Sequence, residues 1–398
     1  MPFDFNLYSG LLIPFFVQGI LFSIILFVRG KQEEKLSDTL LGWLLLLNAI
    51  KIAFWMLGFA GWYDTHDAYS SFMFYFPFNN VLWMGPLLYF YLLSLTNTEF
   101  VFQKKHYRHF ILPVLFLGMI IVKFIVDFAF NRPFPVEELT QYGTKGPLAD
   151  LDKNIWIDVF SYGTFFYYLY ISIKAYRGYQ VYIKQNFSST EEIRFDWMRN
   201  LLYAIAGGVI VFFIFSLIQR FVEIRRSYVF EWYAYVALGI VIYYLSIAGY
   251  FARPGHRQQL LFVPVKEKVS EQAYLEKEKL PELEAWKEKL ARMMEEQKPY
   301  LEPELNLTQL ARLLNTNPSF LSKLINEGIG QNFNDYINDY RVKAVIEKLM
   351  AGEQKAQTLL GIAFDCGFNS KATFNRAFKK IAGTSPREWL DKNISSNT

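Results

Sequence analysis

Lys371, Thr373, Asn375, Arg376, Lys379 and Lys380 fall at intervals that gather them on one side of a helix, opposite Phe374, Ala377 and Phe378. Ammonium, guanidinium, amide and hydroxyl groups in one stripe can donate hydrogen bonds to phosphates and to base edges. Arg376 has the forked geometry that suits guanine, and Asn375 the amide that suits adenine or a phosphate. Lys379 and Lys380 suit phosphates, which add affinity without sequence choice. A solvated helix face has the same composition, so the elements that carry the stripe must decide between the two readings.

Those elements are legible. Ser370 is an N-cap residue type, and Phe374 and Phe378 are four apart on one face. Upstream, Thr358–Cys366 reads as another short helix, and Gly367 supplies the tight turn between them. Helix, glycine turn, polar-faced helix is the helix-turn-helix pattern. A second copy precedes it. Leu307–Leu314 is a short amphipathic helix, Asn315-Thr-Asn-Pro318 breaks it, and Ser319–Glu327 forms the next helix, closed by Gly328 and Gly330. Ser319, Ser322 and Lys323 there correspond to the polar positions of the later copy. The two serines are short readers. Between the copies, 333–349 is one longer helix with Phe333, Tyr336, Ile337, Tyr340 and Ala344 at helical spacing.

This tandem pattern resembles the DNA-binding domain of the AraC/XylS family. The residues that carry the likeness are Leu310-Ala311 and Leu321-Ser-Lys-Leu324, then Phe333, Tyr336, Arg341 and Ala344. Ile362-Ala363, Gly367-Phe368, Ser370, Phe374, Arg376, Phe378-Lys-Lys380 and Gly383-Thr-Ser-Pro386 complete it. It covers roughly the last hundred residues. Trp389-Leu390 departs from the Tyr-Arg usual there, which bears on a peripheral phosphate contact only. The resemblance implies that Lys371, Thr373, Asn375 and Arg376 face the groove. It implies double-stranded DNA and RNA polymerase as partners, and activation of transcription.

Composition divides the chain. Its 398 residues are 53% hydrophobic, 19% aromatic and 20% charged, with mean hydropathy +0.13. The long apolar runs precede residue 252 and charge is densest after 265. Net charge is only +4, so DNA binding must rest on local placement of charge. The single Cys366 can make no internal disulfide and reads as a packed core thiol.

Seven runs of about twenty residues are candidate spans: 7–28, 39–60, 73–95, 109–130, 155–176, 198–220 and 229–250. The third and fifth are diluted by Asn79, Asn80, Pro86 and tyrosines. The first has no preceding Lys or Arg and no evident cleavage site, so it reads as a retained helix rather than a signal peptide. Basic residues cluster in the odd loops (Arg29, Lys31 and Lys35, then Lys104, Lys105 and Arg108, then Arg177, Lys184 and Arg194). That places the N-terminus outside and the C-terminus in the cytoplasm of a multi-pass protein of the cytoplasmic membrane. Arg225 and Arg226 in the sixth loop run against the rule. After the last span, 266–300 turns charged, with Leu283, Trp286, Leu290 and Met293 along one edge and Pro281 near the start. Two readings stay open: a short dimeric coiled coil, hence a homodimer, or a helix that packs on its own DNA-binding domain.

Ionisable groups within lipid are expensive and ask for a reason. Lys51, Asn79, Asn80, Lys123, Asp127, Asp158, Arg220 and Glu231 all fall in the outer halves or at the outer ends of their spans. An outward-facing pocket for a small polar or charged ligand is one reading. The other is structural ion pairing, with Lys123 and Asp127 four apart, and snorkelling at the span ends.

The four histidines lie in or beside the apolar part, and no ATP-binding boxes follow, which argues against a sensor kinase. There is no metal-ligand spacing, P-loop or nucleophile elbow, so neither enzyme activity nor a cofactor is expected. A transporter with a regulatory tail is the rival, but no repeat or pseudo-symmetric halving supports it. The expected architecture is all-α. Residues 1–252 form a seven-helix transmembrane sensor domain, 253–300 a charged linker helix, and 301–398 a tandem helix-turn-helix domain.

Overall fold

The computed structural model describes residues 4–62, 73–130, 146–149, 151, 155–207, 228–252, 260–264 and 280–393. Regular structure among them is helical, with no strand. The chain divides into two compact units. The first comprises Met1–Tyr176, Asp196–Arg253 and Gln259–Val263; the second comprises Arg177–Phe195, Pro254–Gln258 and Pro264–Thr398. Residues 177–195, which the sequence places in a loop of the N-terminal domain, therefore pack with the C-terminal unit.

In the first unit, α1 (Ile13–Gln32) and α2 (Leu36–Phe59) form a helical hairpin. Their approach is close: a Cβ added at Gly19 would lie 2.9 Å from the Cβ of Ala49, so a small residue is required there. Arg29 makes a bidentate pair with Asp38 (2.5 and 2.8 Å) and donates to the Tyr250 carbonyl (2.9 Å). One of the basic residues counted toward the expected orientation is thus also a half-buried tie between α1, α2 and α6 (Tyr228–Phe251). Helix α3 (Val81–Thr96) is buried on almost every side. At 1.5 Å per residue its 16 residues reach about 24 Å.

The expected seven spans are matched unevenly. Four stretches among the described residues are long and apolar enough to cross a membrane: Leu7–Gln32, Leu36–Phe59, Lys104–Phe130 and Trp232–Phe251. The third expected span shortens to α3, because residues 74–80 stay out of the helix that Asn80 precedes. The fifth becomes α5 (Ile155–Asn186), a 32-residue helix that is too polar to join the four and runs well past the expected end at 176. Most of the sixth, from 208 to 220, lies outside the described residues. In α4 (Ile111–Ile125), Leu112, Val114, Leu115, Ile121, Val122 and Ile125 are all exposed and give the helix a broad open apolar face.

The second unit is built on two small cores. Helices α7 (Leu280–Glu296), α8 (Leu307–Leu313) and α9 (Pro318–Lys323) surround the first; α11 (Leu359–Asp365), α12 (Lys371–Ala382) and α13 (Pro386–Asn393) surround the second. Helix α10 (Phe333–Met350) belongs to both. Its Phe333, Tyr336 and Ile337 enter the first core, and its Val342, Val345 and Leu349 enter the second. Changing partners halfway along means that no single apolar stripe runs its length. Helix α7 puts Leu290, Met293 and Met294 into the first core, with Leu283 and Trp286 packed at its edge. Of the two readings of the linker, packing on the chain's own C-terminal helices is therefore the one observed.

Candidate nucleic-acid interface

The second unit's last helices follow from local sequence. Thr358 caps α11, its Oγ1 accepting from the Gly361 N–H at 3.1 Å. Gly367 then takes φ +88°, and a Cβ there would lie 2.3 Å from the Tyr300 carbonyl oxygen, so only glycine fits this turn. Ser370 caps α12 by accepting from the Thr373 N–H at 3.1 Å, and Gly383 ends it in the left-handed region at φ +76°. Phe374, Ala377 and Phe378 are buried in the second core, where Trp389 meets Phe378 edge-on at 6.1 Å.

That burial leaves Lys371, Asn375, Arg376, Lys379 and Lys380 exposed on the far side of α12, as the spacing predicts. Thr373 departs from the expectation. It is 2% exposed, and its hydroxyl has no hydrogen-bond partner among the described residues. It sits three residues after the cap, beside Phe374, and falls on the margin of the apolar stripe rather than on the polar face.

The upstream helix-turn-helix repeats the plan. Asn306 and Gln309 form a reciprocal capping box at the start of α8. Asn315 turns at φ +56°, and Asn317 caps α9 with Pro318 in the first turn. Beyond Lys323 the helix continues through wider turns, Leu324–Ile329, to Gly330 at φ +81°. Ser319 is exposed; Ser322 is half-buried and accepts from Asn326 Nδ2 at 3.1 Å; Lys323 is half-buried and lies 3.7 Å from Glu327.

Arg341 holds the unit together from inside. It is 1% exposed; its Nε donates to the Tyr300 carbonyl (2.7 Å), and its Nη2 donates to the Glu302 carbonyl (2.7 Å) and the Ser188 hydroxyl (3.2 Å). Burial pulls the guanidinium down from its ordinary value to about 9, so it remains charged at neutral pH. Burial pushes the Cys366 thiol up to about 11, in keeping with a packed core cysteine.

Three of the candidate contact cations already face carboxylates. Lys380 pairs with Asp335 at 2.7 Å, Lys323 with Glu327, and Arg376 lies 3.7 Å from Glu191. Glu191 also accepts a short hydrogen bond from the Ser370 hydroxyl.

Residues 310–392 match the family described as a helix-turn-helix domain. A stretch of 97 residues is 33% identical to a protein of Bacillus subtilis (strain 168) named an uncharacterized HTH-type transcriptional regulator, YtdP. The stretch is 24% of this chain and 12% of that protein, so the chain spans only a small part of the relative's length. No solved structure matches. The helix-turn-helix domain expected from the sequence is thus present at the C-terminal end. Both comparisons concern that end alone.

Of the eight candidate ligand residues, Lys51, Asn79, Asn80, Lys123 and Asp127 have described side chains. Lys123 and Asp127, both fully buried, share one neighbourhood. Lys123 Nζ donates to the carbonyls of Phe74 (2.8 Å) and Ala149 (3.1 Å). Asp127 accepts from the Tyr75 hydroxyl (2.8 Å) and from the Leu148 N–H (3.1 Å). Backbone groups and a tyrosine hydroxyl thus meet both charged side chains. Asn80 Nδ2 donates to the Leu47 carbonyl (2.5 Å), while Asn79 and Lys51 are half-buried. Arg220 lies outside the described residues, and the side chains of Asp158 and Glu231 are likewise outside them. A groove of about 340 Å³ lined by Pro14, Gln18, Phe22 and Tyr243 includes none of the eight.

Proposed function

We propose that the chain is a membrane-bound one-component transcription regulator. It binds double-stranded DNA sequence-specifically through its two helix-turn-helix units, under control of a signal sensed by the N-terminal helices. The observation that carries this reading is α12: a capped helix after a glycine turn, buried on one face and presenting Lys371, Asn375, Arg376, Lys379 and Lys380 on the other. Arg376 and Asn375 read bases; Lys379 and Lys380 hold phosphates, with Lys380 exchanging Asp335 for a phosphate oxygen. Ser319, Ser322 and Lys323 serve the same ends more weakly in the first helix-turn-helix.

Membrane placement draws support from the four long apolar helices and from the exposed apolar face of α4. Soluble domains seldom expose so large a contiguous apolar surface, whereas hydrocarbon accepts it. The N-terminus then lies outside and the DNA-binding domain in the cytoplasm. The signal proposed is a small polar or charged ligand taken up among the polar groups in the outer halves of the spans.

Chromatin mapping of the intact chain tests the reading. Discrete genomic sites should be recovered, and Arg376→Ala should weaken their recovery at an unchanged membrane level. Recovery of no DNA by a chain that reaches the membrane would favour a transporter or receptor with a regulatory tail.

A further inference from the structure

The segment 187–195 follows α5 in the chain and lies against the helix-turn-helix units. The Ser188 N–H donates to the Leu305 carbonyl at 3.1 Å, and Asn334 Nδ2 donates to the Ser188 carbonyl at 2.7 Å. Arg341 reaches the Ser188 hydroxyl, and the Ser189 hydroxyl donates to Asn369 Oδ1 at 2.8 Å. Phe187, Ser188, Ser189 and Thr190 are all at most 5% exposed, so this is a packed contact. It ends on the reading helix, where Glu191 accepts from Ser370, the N-cap of α12, and lies 3.7 Å from Arg376.

An anion at a helix N-terminus, accepting from the capping hydroxyl and facing an arginine, occupies the position that suits a DNA phosphate. A carboxylate and a phosphate cannot both hold it. With Glu191 against Ser370 and Arg376, both ends of the first turn and a half of the reading helix are engaged from within the chain. The upstream helix-turn-helix differs: Ser319 is exposed.

We propose that the 187–191 segment is an intramolecular competitor of DNA. Glu191 occupies the phosphate position at the N-terminus of α12 and holds the second helix-turn-helix in a closed state. The inference rests on the regulator reading and adds how it is switched. DNA binding requires the segment to leave, and apparent affinity falls in proportion to the open fraction. Residues 155–186 and 196–207 flank the segment in the chain, so a shift in either flanking helix is transmitted to it covalently.

The test uses the full chain in lipid nanodiscs and a 30-bp duplex selected by that chain from a random-sequence library. Glu191→Gln and Glu191→Ala should bind the duplex roughly tenfold more tightly than the unaltered chain, the effect expected from losing one charge-assisted hydrogen bond. In the unaltered chain, saturating duplex should speed hydrogen exchange at the amides of 187–191. Equal or weaker binding by both variants, or exchange at 187–191 unchanged by saturating duplex, overturns the competitor and leaves the regulator reading standing. The exchange result decides even if the variants fold poorly. Failure of every form to select or bind any duplex overturns the regulator reading, and the competitor with it.

Discussion

Arg376 is the only arginine of α12, and its guanidinium is exposed where the buried face turns away. Arg376→Ala should cost about 1–3 kcal/mol at one base pair of the site, measured by equilibrium binding to duplexes changed one position at a time. An equal loss on every duplex would make it a phosphate contact instead. Cys366 makes a different prediction. Buried, with its thiol pushed up to about 11, it should resist alkylation by iodoacetamide in the native chain at pH 8 and react once the chain is unfolded. The polar stripe was readable from spacing alone, except at Thr373, because a position on the margin of an apolar face can fall to either side. Arg341 was visible as a matching residue of the resemblance but not as a buried tie. Most of its partners are backbone carbonyls, and carbonyls carry no signature in a sequence. The same holds for Lys123, whose partners are the carbonyls of Phe74 and Ala149.

Elements were legible where caps and turns set them. Asn306, Asn317, Thr358 and Ser370 all cap the helices that begin after them, and Gly367 makes the turn the pattern requires. Gly367→Ala should therefore cost at least about 2 kcal/mol, from left-handed backbone strain and from collision with the Tyr300 carbonyl. Faster hydrogen exchange across 359–382 and lost DNA binding would report it. The linker helix was ambiguous, because the edge Leu283, Trp286, Leu290, Met293 suits a coiled coil as well as a domain core. With Leu290 fully buried in the first core, Leu290→Ala should destabilise that core by about 2–5 kcal/mol. Amide exchange should accelerate in 307–329 well before 371–382. Equal acceleration in both would mean that the two cores are one cooperative unit. Span lengths were the least legible feature: polar residues dilute α3 and α5 without saying where a helix starts or stops.

At the level of the whole chain, the division into an apolar part and a charged part was plain from composition, but the boundary was not. Residues 177–195 precede the sixth expected span and yet pack with the C-terminal unit. Counting basic residues for orientation drew attention to Arg177, Lys184 and Arg194 and away from Glu191, whose partners Ser370 and Arg376 lie about 180 residues further along. Contacts at that separation leave no local pattern. The central claim is that a chain with lipid-facing helices reads DNA with its C-terminal unit. The most direct measurement is the affinity of the full chain, held in lipid nanodiscs, for a duplex containing a mapped genomic site and for a scrambled duplex, over a series of salt concentrations. Selective binding of the mapped site, weakening steeply with salt as phosphate contacts require, is the predicted result. Equal affinity for both duplexes at every salt concentration, or no binding to either, would contradict it.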